Sequence, residues 1–260
     1  MKNRKKQLIF LVILVVLLIV VNYSLMDNLL TKTFMDHDMG LVERVIDGDT
    51  LVINGTSIRL LGINCPEKGE EYSDEAQAFL EMIVLNKTVE LKYGKDKYDR
   101  YGRTLAYIFY NGKNVNLELV DEGLANFYFF DHNKYYDDFK GTWENCVRMN
   151  KNLCEKSVDV CADCIKLKEF NHKKQIVVFE NKCHFYCDLE SWDVKDEGRK
   201  HFEFPEFNLK ANGEVSLIVK EGIDTNERLF WTGEDYVWTD TGDTLFLRDA
   251  VGRLVLWESY

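Results

Sequence analysis

The sequence predicts a mainly β chain with a few helices, folded as two domains behind an apolar N-terminal segment. Three observations predict it. Between residues 41 and 110, short apolar runs alternate with turn signals such as Asp47-Gly48 and Asn54-Gly55. Helical spacing shows in a few stretches, all before residue 151. From Cys164 onward the patterned segments are strand-like. A length of 260 residues holds two domains of ordinary size plus an extra segment.

The chain starts with Lys2, Arg4, Lys5 and Lys6, then runs from Gln7 to Met26 without a charge. Leu8–Val21 is continuously apolar. Such a segment is a signal peptide or an uncleaved anchor. No small-residue cleavage motif follows, and the uncharged length approaches a full span, which favours a transmembrane anchor over residues 1–26. The basic start places the N-terminus in the cytoplasm and the remainder outside. If the segment is cut, the product is secreted. Residues 27–40 read as a polar spacer.

The first domain is expected over 41–156. Asp47-Gly48-Asp49 is a tight turn ending in a carboxylate. Asn54-Gly55 is a strong hairpin signal between Thr50–Ile53 and Ser57–Ile63. A two-residue loop there pairs Asp49 with Leu60 and sends Asp49 and Arg59 to opposite faces. A three-residue loop puts them on one face, so a shared site calls for the longer loop or a bulge. Ser73 is the expected N-cap of a helix carrying Ala76, Phe79, Leu80 and Ile83. Thr88–Tyr93 alternates as a strand, Tyr98–Arg103 is a charged turn, and Thr104–Tyr110 is a second strand. Val115–Glu122 is a helix stopped by Gly123. Tyr135–Asn150 is the last helix, with Tyr136, Phe139, Trp143 and Val147 turned to the core.

The ordered motifs DGDT at 47–50, RLLGIN-x-PE at 59–67, DRYGR at 99–103 and LVDEGLA at 119–125 resemble the thermonuclease (staphylococcal nuclease-like) family. The resemblance covers about residues 41–156. It implies an OB-type five-stranded barrel with helices and calcium-dependent hydrolysis of DNA and RNA. It further implies cleavage of the P–O5′ bond, leaving 3′-phosphates. By the same resemblance Asp49 is a calcium ligand, Cys65 offers its backbone carbonyl, and Glu67 activates water. Arg59 and Arg103 bind phosphate, and Tyr101 contacts phosphate or base. The family's second carboxylate ligand falls at Asn64, a departure that removes one charge and should weaken or retune metal binding. Phe127–Phe130 is either a base-stacking platform or ordinary core. Taken singly, each of these residues has a bland structural role; together, in family order, they read as a catalytic set.

Charge narrows the way substrate is held. The net charge is −11, and residues 41–130 carry 15 Asp/Glu against 10 Lys/Arg. A broad basic face for nucleic acid is excluded. Local arginines and a hard cation with oxygen ligands remain.

Residues 157–164 form a cysteine-bearing hinge. Cys146, Cys154, Cys161, Cys164, Cys183 and Cys187 cluster around it. Outside the cell disulfides are the plainer reading, and half a zinc site at Cys161/Cys164 the other. Pairing of Cys161 with Cys164 and of Cys183 with Cys187 is expected.

Residues 165–260 read as a β-sandwich. Three segments, 188–198, 202–219 and 241–260, resemble the lamin-tail family, which implies an immunoglobulin-like sandwich acting as a binding or tethering module of unspecified ligand. Asp188, Asp193, Asp196, Asp240 and Asp243 are expected as solvated turn acids. Trp192, Trp231, Trp238 and Trp257 are expected mostly in the core. The whole therefore reads as a membrane-tethered, outward-facing, calcium-dependent nuclease. The alternative is a non-catalytic surface module binding nucleic acid or protein on the same folds.

Overall fold

The computed structural model describes residues 37–129 and 134–260. The expected membrane anchor and most of the spacer lie outside them. Five strands and a cross-pairing close a barrel. β1 (His37–Val45), β2 (Thr50–Ile53) and β3 (Thr56–Leu60) form an antiparallel meander. Asn54 and Gly55, at φ 47° and 75°, make the two-residue turn that the right-handed strand twist favours. A two-residue strand, β4 (Ile63–Asn64), follows, and then helix α1 (Ser73–Val84). β5 (Thr88–Tyr98) pairs with β1 and with β6 (Thr104–Tyr110), and β6 runs parallel to β3, closing the sheet. β7 (Lys113–Asn114) extends β6. The first strand begins inside the expected spacer: residues 37–40 pair with β5.

Helix α1 sends Ala76, Leu80 and Val84 into the core at four-residue spacing. Its N-cap is Tyr72, in left-handed backbone, and Ser73 is the first helical residue rather than the cap. Helix α2 (Val115–Asp121) ends in a Schellman arrangement, with Leu124 N donating to Leu119 O and Gly123 N to Val120 O. Gly123 has φ 65°, and a Cβ there would meet Lys151 O at 2.3 Å, so only glycine fits. β8 (Asn126–Phe127) pairs with β4. Helix α3 (Tyr136–Met149) buries Tyr136, Phe139, Trp143 and Cys146. A Cys146–Cys154 disulfide ties it to the short 3₁₀ turn at Asn152–Cys154.

The C-terminal half is all β: β9 (Ile165–Asn171), β10 (Ile176–Asn181), β11 (Cys187–Asp188), β12 (Asp193–Lys195), β13 (His201–Glu203), β14 (Asn208–Leu209), β15 (Glu214–Val219), β16 (Arg228–Trp231), β17 (Thr244–Arg248) and β18 (Leu254–Ser259). One sheet has the order β16-β15-β10-β9, the other β13-β12-β17-β18, and β11 pairs with β14. β10 and β15 alternate buried and partly exposed residues, as strands with one core face do. Trp192, Trp231 and Trp238 fill the core between the sheets.

The expected pairings within Cys161/Cys164 and within Cys183/Cys187 do not occur. Cys161 joins Cys187 and Cys164 joins Cys183, across Cα separations of 5.6 and 5.3 Å. Cys161 and Cys164 stand at the two ends of one tight turn, closed by Cys164 N to Cys161 O. Each is therefore free to reach the neighbouring chain, and the two bonds staple the start of β9 to the 183–187 loop.

Barrel and sandwich share an apolar seam. β17 is buried along its whole length: Leu245 and Leu247 belong to the sandwich core, Phe246 to the barrel core. Phe246 stands edge-on to Trp143 of α3 at 5.4 Å, and Trp257 packs on Trp143 and Phe127. Arg248 crosses the same seam, donating to Leu153 O (2.7 Å), Gly252 O (3.0 Å) and Asn126 Oδ1 (3.1 Å). Burial pulls its pKa down to about 10.

Candidate active site

The turn before β2 is built around Gly48. A Cβ there would meet Cys65 Cβ at 2.8 Å and Ala76 Cβ at 2.7 Å, so the turn presses directly on α1 and on the segment after β4. Asp47 Oδ1 accepts from Asp49 N (3.1 Å), an Asx turn that aims the following carboxylate inward. Asp49 is buried. Its Oδ2 accepts from Cys65 N (3.0 Å) and its Oδ1 from Thr50 Oγ1 (3.1 Å). Burial pushes its carboxyl pKa up, against the pull of the Arg59 guanidinium. Cys65 is a small buried residue whose thiol is driven far above its ordinary range, first by burial and then by Asp49; its side chain is no nucleophile.

Arg59 meets Asp49 although the hairpin loop has only two residues. The register is Thr50 with Arg59 and Ile53 with Thr56, the arrangement expected to separate the two side chains. Asp49 lies in the bend ahead of β2, where strand alternation no longer sets side-chain direction. The long Arg59 side chain then curls over the strand end. Its Nη2 lies 3.0 Å from Asp49 Oδ2 and 3.0 Å from Asn64 Oδ1, and its Nη1 donates to Leu60 O and Ile63 O. Two oxygens from separate segments thus converge on one cationic nitrogen. Asn64 is fixed by the β4–β8 pairing, and its Nδ2 donates to Gly198 O at 2.9 Å.

That last contact belongs to the sandwich. The tip between β12 and β13, Asp196–Lys200, reaches over the barrel's site. Glu197 Oε2 accepts from Phe129 N (3.2 Å), and Arg199 Nε lies 2.7 Å from Glu67 Oε1. Glu67 itself stands on the exposed loop after Pro66, and its N–H donates to Glu70 Oε2. Lys195 adds a longer pair to Glu70 at 3.4 Å.

The third group comes from the β5–β6 turn. Asp99 accepts from Tyr101 N, Arg103 N and Arg103 Nε at 2.7–2.9 Å. Burial of Asp99 works against its charge, yet the Arg103 side chain and the two backbone donors hold its pKa below the ordinary value. Tyr101 is 66% exposed, with the Arg100 guanidinium 4.8 Å from its ring centre. In the Phe127–Phe130 run, Phe127 and Phe129 are core residues stacked at 5.7 Å; Phe130 lies outside the described residues.

These groups line one cleft of about 570 Å³ between barrel and sandwich. Arg59, Asn64, Tyr101 and Arg103 form the barrel wall, and Arg199, Lys200 and Tyr236 face them from the sandwich. Asp49 lies beneath Arg59, and Glu67 meets the cleft through Arg199. Asp196, Glu197 and Asp243 line it too and are buried; of the expected solvated turn acids, Asp188 and Asp240 are exposed and Asp193 is half-buried, whereas Asp196 and Asp243 depart from the expectation. Burial and mutual repulsion raise Asp196 to about 7; burial raises Asp243 to about 6 and Glu197 well above its ordinary value. The sandwich residues of this cleft carry no sequence signal that assigns them to it; docking of the two domains does.

Among the described residues no group of three or more His, Cys, Asp or Glu side chains is arranged for a metal ion. Asp49 Oδ2 and Asn64 Oδ1 are donors of the kind a hard cation takes, and in this structure one Arg59 nitrogen engages both at 3.0 Å. The donor set fits a weakly bound hard cation with one carboxylate charge.

The family model described as staphylococcal nuclease homologue matches residues 57–155. The thermonuclease of Staphylococcus hyicus is 34% identical over 123 residues, covering 43% of this chain and 73% of that protein. The thermonuclease of Staphylococcus intermedius is 37% identical over 106 residues, 37% of this chain and 63% of that protein. A prophage-derived endonuclease of Bacillus subtilis is 35% identical over 112 residues, 38% of each. The family match stops short of the sandwich.

Proposed function

Since the chain belongs to the staphylococcal nuclease homologue family, we propose that it is a calcium-dependent nuclease that hydrolyses DNA, and also RNA, to 3′-phosphates. The observation that carries this reading is the meeting of Asp49, Arg59 and Asn64 at one point of a cleft that also holds Arg103. Asp49, Asn64 and the Cys65 carbonyl would hold calcium, which as a hard Lewis acid supplies positive charge against the phosphate and its attacking water.

The chain's own groups do the rest. Glu67 accepts a proton from water as the water oxygen bonds to phosphorus. Arg59 and Arg103 bind the phosphate oxygens with forked guanidinium contacts, and the charge that builds there in the transition state is held more tightly than the ground state. The P–O5′ bond breaks, the 5′ oxygen leaves and takes its proton from solvent water, and the phosphate stays on the 3′ side. Tyr101, exposed at the rim, packs on the nucleotide. The sandwich is read as a lamin-tail-like binding module, and the N-terminal segment as an anchor that displays both domains outside the membrane.

A non-catalytic binding protein is the second reading. It is favoured by Asn64 and by Arg59, whose fork is fully engaged within the protein. One experiment separates the two: cleavage of single- and double-stranded DNA by wild type and Glu67→Gln, in calcium, magnesium or EDTA. Calcium-dependent cleavage reduced about 10²–10⁴-fold in the variant is expected. Absence of cleavage by folded wild type in every condition refutes the nuclease.

A further inference from the structure

The sandwich side of the cleft has chemistry of its own. The tip carrying Arg199 is pinned on both sides: Gly198 O accepts from Asn64 Nδ2, Glu197 Oε2 from Phe129 N, and Asp196 Oδ1 from Lys200 N. The Arg199 side chain is not pinned. It is 67% exposed and makes a single solvent-facing ion pair, through Nε, with Glu67. Exposed pairs of this kind contribute little and are easily exchanged. Two barrel arginines are more committed, Arg59 to four acceptors and Arg103 to Asp99, while Arg100 lies over the Tyr101 ring. Arg199 is therefore the sandwich guanidinium able to turn toward an incoming phosphate, and in doing so it releases Glu67.

Next to it stands an aromatic surface. Tyr236 is 55% exposed, and Lys200 Nζ lies 4.0 Å from its ring centre. Lys200 is held there by the Tyr236 carbonyl and by Glu234. Tyr101, with Arg100, offers a similar cation-backed ring on the barrel wall of the same cleft. Aromatic faces beside cations bind unpaired bases with little regard to sequence. The cleft volume suits a nucleotide or two, and the acidic residues lining it disfavour the denser charge of a duplex.

We propose that Arg199, Lys200 and Tyr236 form a nucleotide-binding subsite supplied by the sandwich. Arg199 takes a phosphate of a single-stranded nucleic acid adjacent to the one held by the barrel, and Tyr236 stacks the attached base. The proposal rests on the nuclease reading and deepens it, by naming single strands as the preferred substrate and the second domain as part of the substrate site.

The test compares full-length wild type, Arg199→Ala, Arg199→Lys and Tyr236→Ala. Cleavage kinetics are measured on an oligothymidylate and on the same length of duplex, and oligothymidylate binding by fluorescence anisotropy in EDTA across a salt series. The three variants change two exposed side chains, and thermal melts confirm folding. Expected are a KM for the single strand raised about tenfold or more in Arg199→Ala and Tyr236→Ala, partial rescue by Arg199→Lys, and a salt slope shallower by about 0.7 in Arg199→Ala. Unchanged KM and salt slope in cleaving enzymes overturn the subsite and leave the nuclease standing. A fall in kcat at constant KM also overturns it, because Arg199 then acts only through Glu67. If wild type cleaves nothing, the nuclease reading falls; weakened anisotropy in the variants then still supports the subsite, and unchanged anisotropy overturns it as well.

Discussion

Replacing Asn64 by aspartate sets two effects of one atom against each other. The amide nitrogen donates to Gly198 O at 2.9 Å, while the amide oxygen faces Arg59. Asn64→Asp keeps the oxygen and turns the donor into a second, negative oxygen against a carbonyl. The lost bond contributes about 1 kcal/mol, and an unmet buried acceptor costs about 1–3 kcal/mol. The Arg59 guanidinium, now between two carboxylates, returns about 1 kcal/mol. The net is about 2 kcal/mol, or a melting temperature lower by about 4–8 °C for a chain of this size. With excess calcium the order should reverse. A second carboxylate ligand raises affinity, and occupancy at about 100 times Kd adds about 2.7 kcal/mol to the folded state. The assay is a pair of thermal melts for each protein, in EDTA and in calcium. If Asn64→Asp melts with wild type in EDTA, the Gly198 contact does not tie the domains. If calcium shifts both proteins equally, position 64 does not face the cation.

Two further outcomes are expected. Glu197 is buried beside Asp243, Asp196, Tyr128 and Tyr260, with a folded pKa above its ordinary value of 4.5. Its neutral form therefore favours folding below that pH, and the benefit is lost as pH rises through the folded value; Asp243 and Asp196, at about 6 and about 7, act in the same direction. Glu197→Gln keeps an oxygen for Phe129 N and Thr244 Oγ1. It should match wild type in melts at pH 4 and exceed it at pH 8; parallel curves refute the assignment. Arg248→Ala leaves three acceptors without a donor, two of them across the seam, and should cost about 3–5 kcal/mol in urea denaturation, whereas a loss below about 1 kcal/mol would show the seam to be held by its aromatic rings alone.

What the sequence could disclose depended on range. Asn54-Gly55, the Thr104–Tyr110 strand and the Gly123 stop are local signals, and each appears where the residues put it. The family-ordered residues were nameable because they follow one another along a single barrel. The two-residue hairpin misled on Asp49 and Arg59 because alternation describes strands, whereas Asp49 sits before one. The disulfides escaped because proximity along the chain is not proximity of side chains. β12 and β13 are three residues each, too short for a period, and so the hairpin that presents Arg199 had no signature. Nor could Asp196 and Asp243 be distinguished from ordinary turn acids, since their burial follows from tertiary packing that local pattern does not carry.

The bond from Asn64 to Gly198 spans 134 positions of chain. A contact so remote closes a long loop of chain, at an entropy cost that local contacts do not carry. The barrel core is completed by β17 and β18, which lay Phe246 and Trp257 against Trp143 and Phe127. The groove is thus shared property: a barrel without the sandwich docked on it presents Glu67 without Arg199 and Asn64 without its tether.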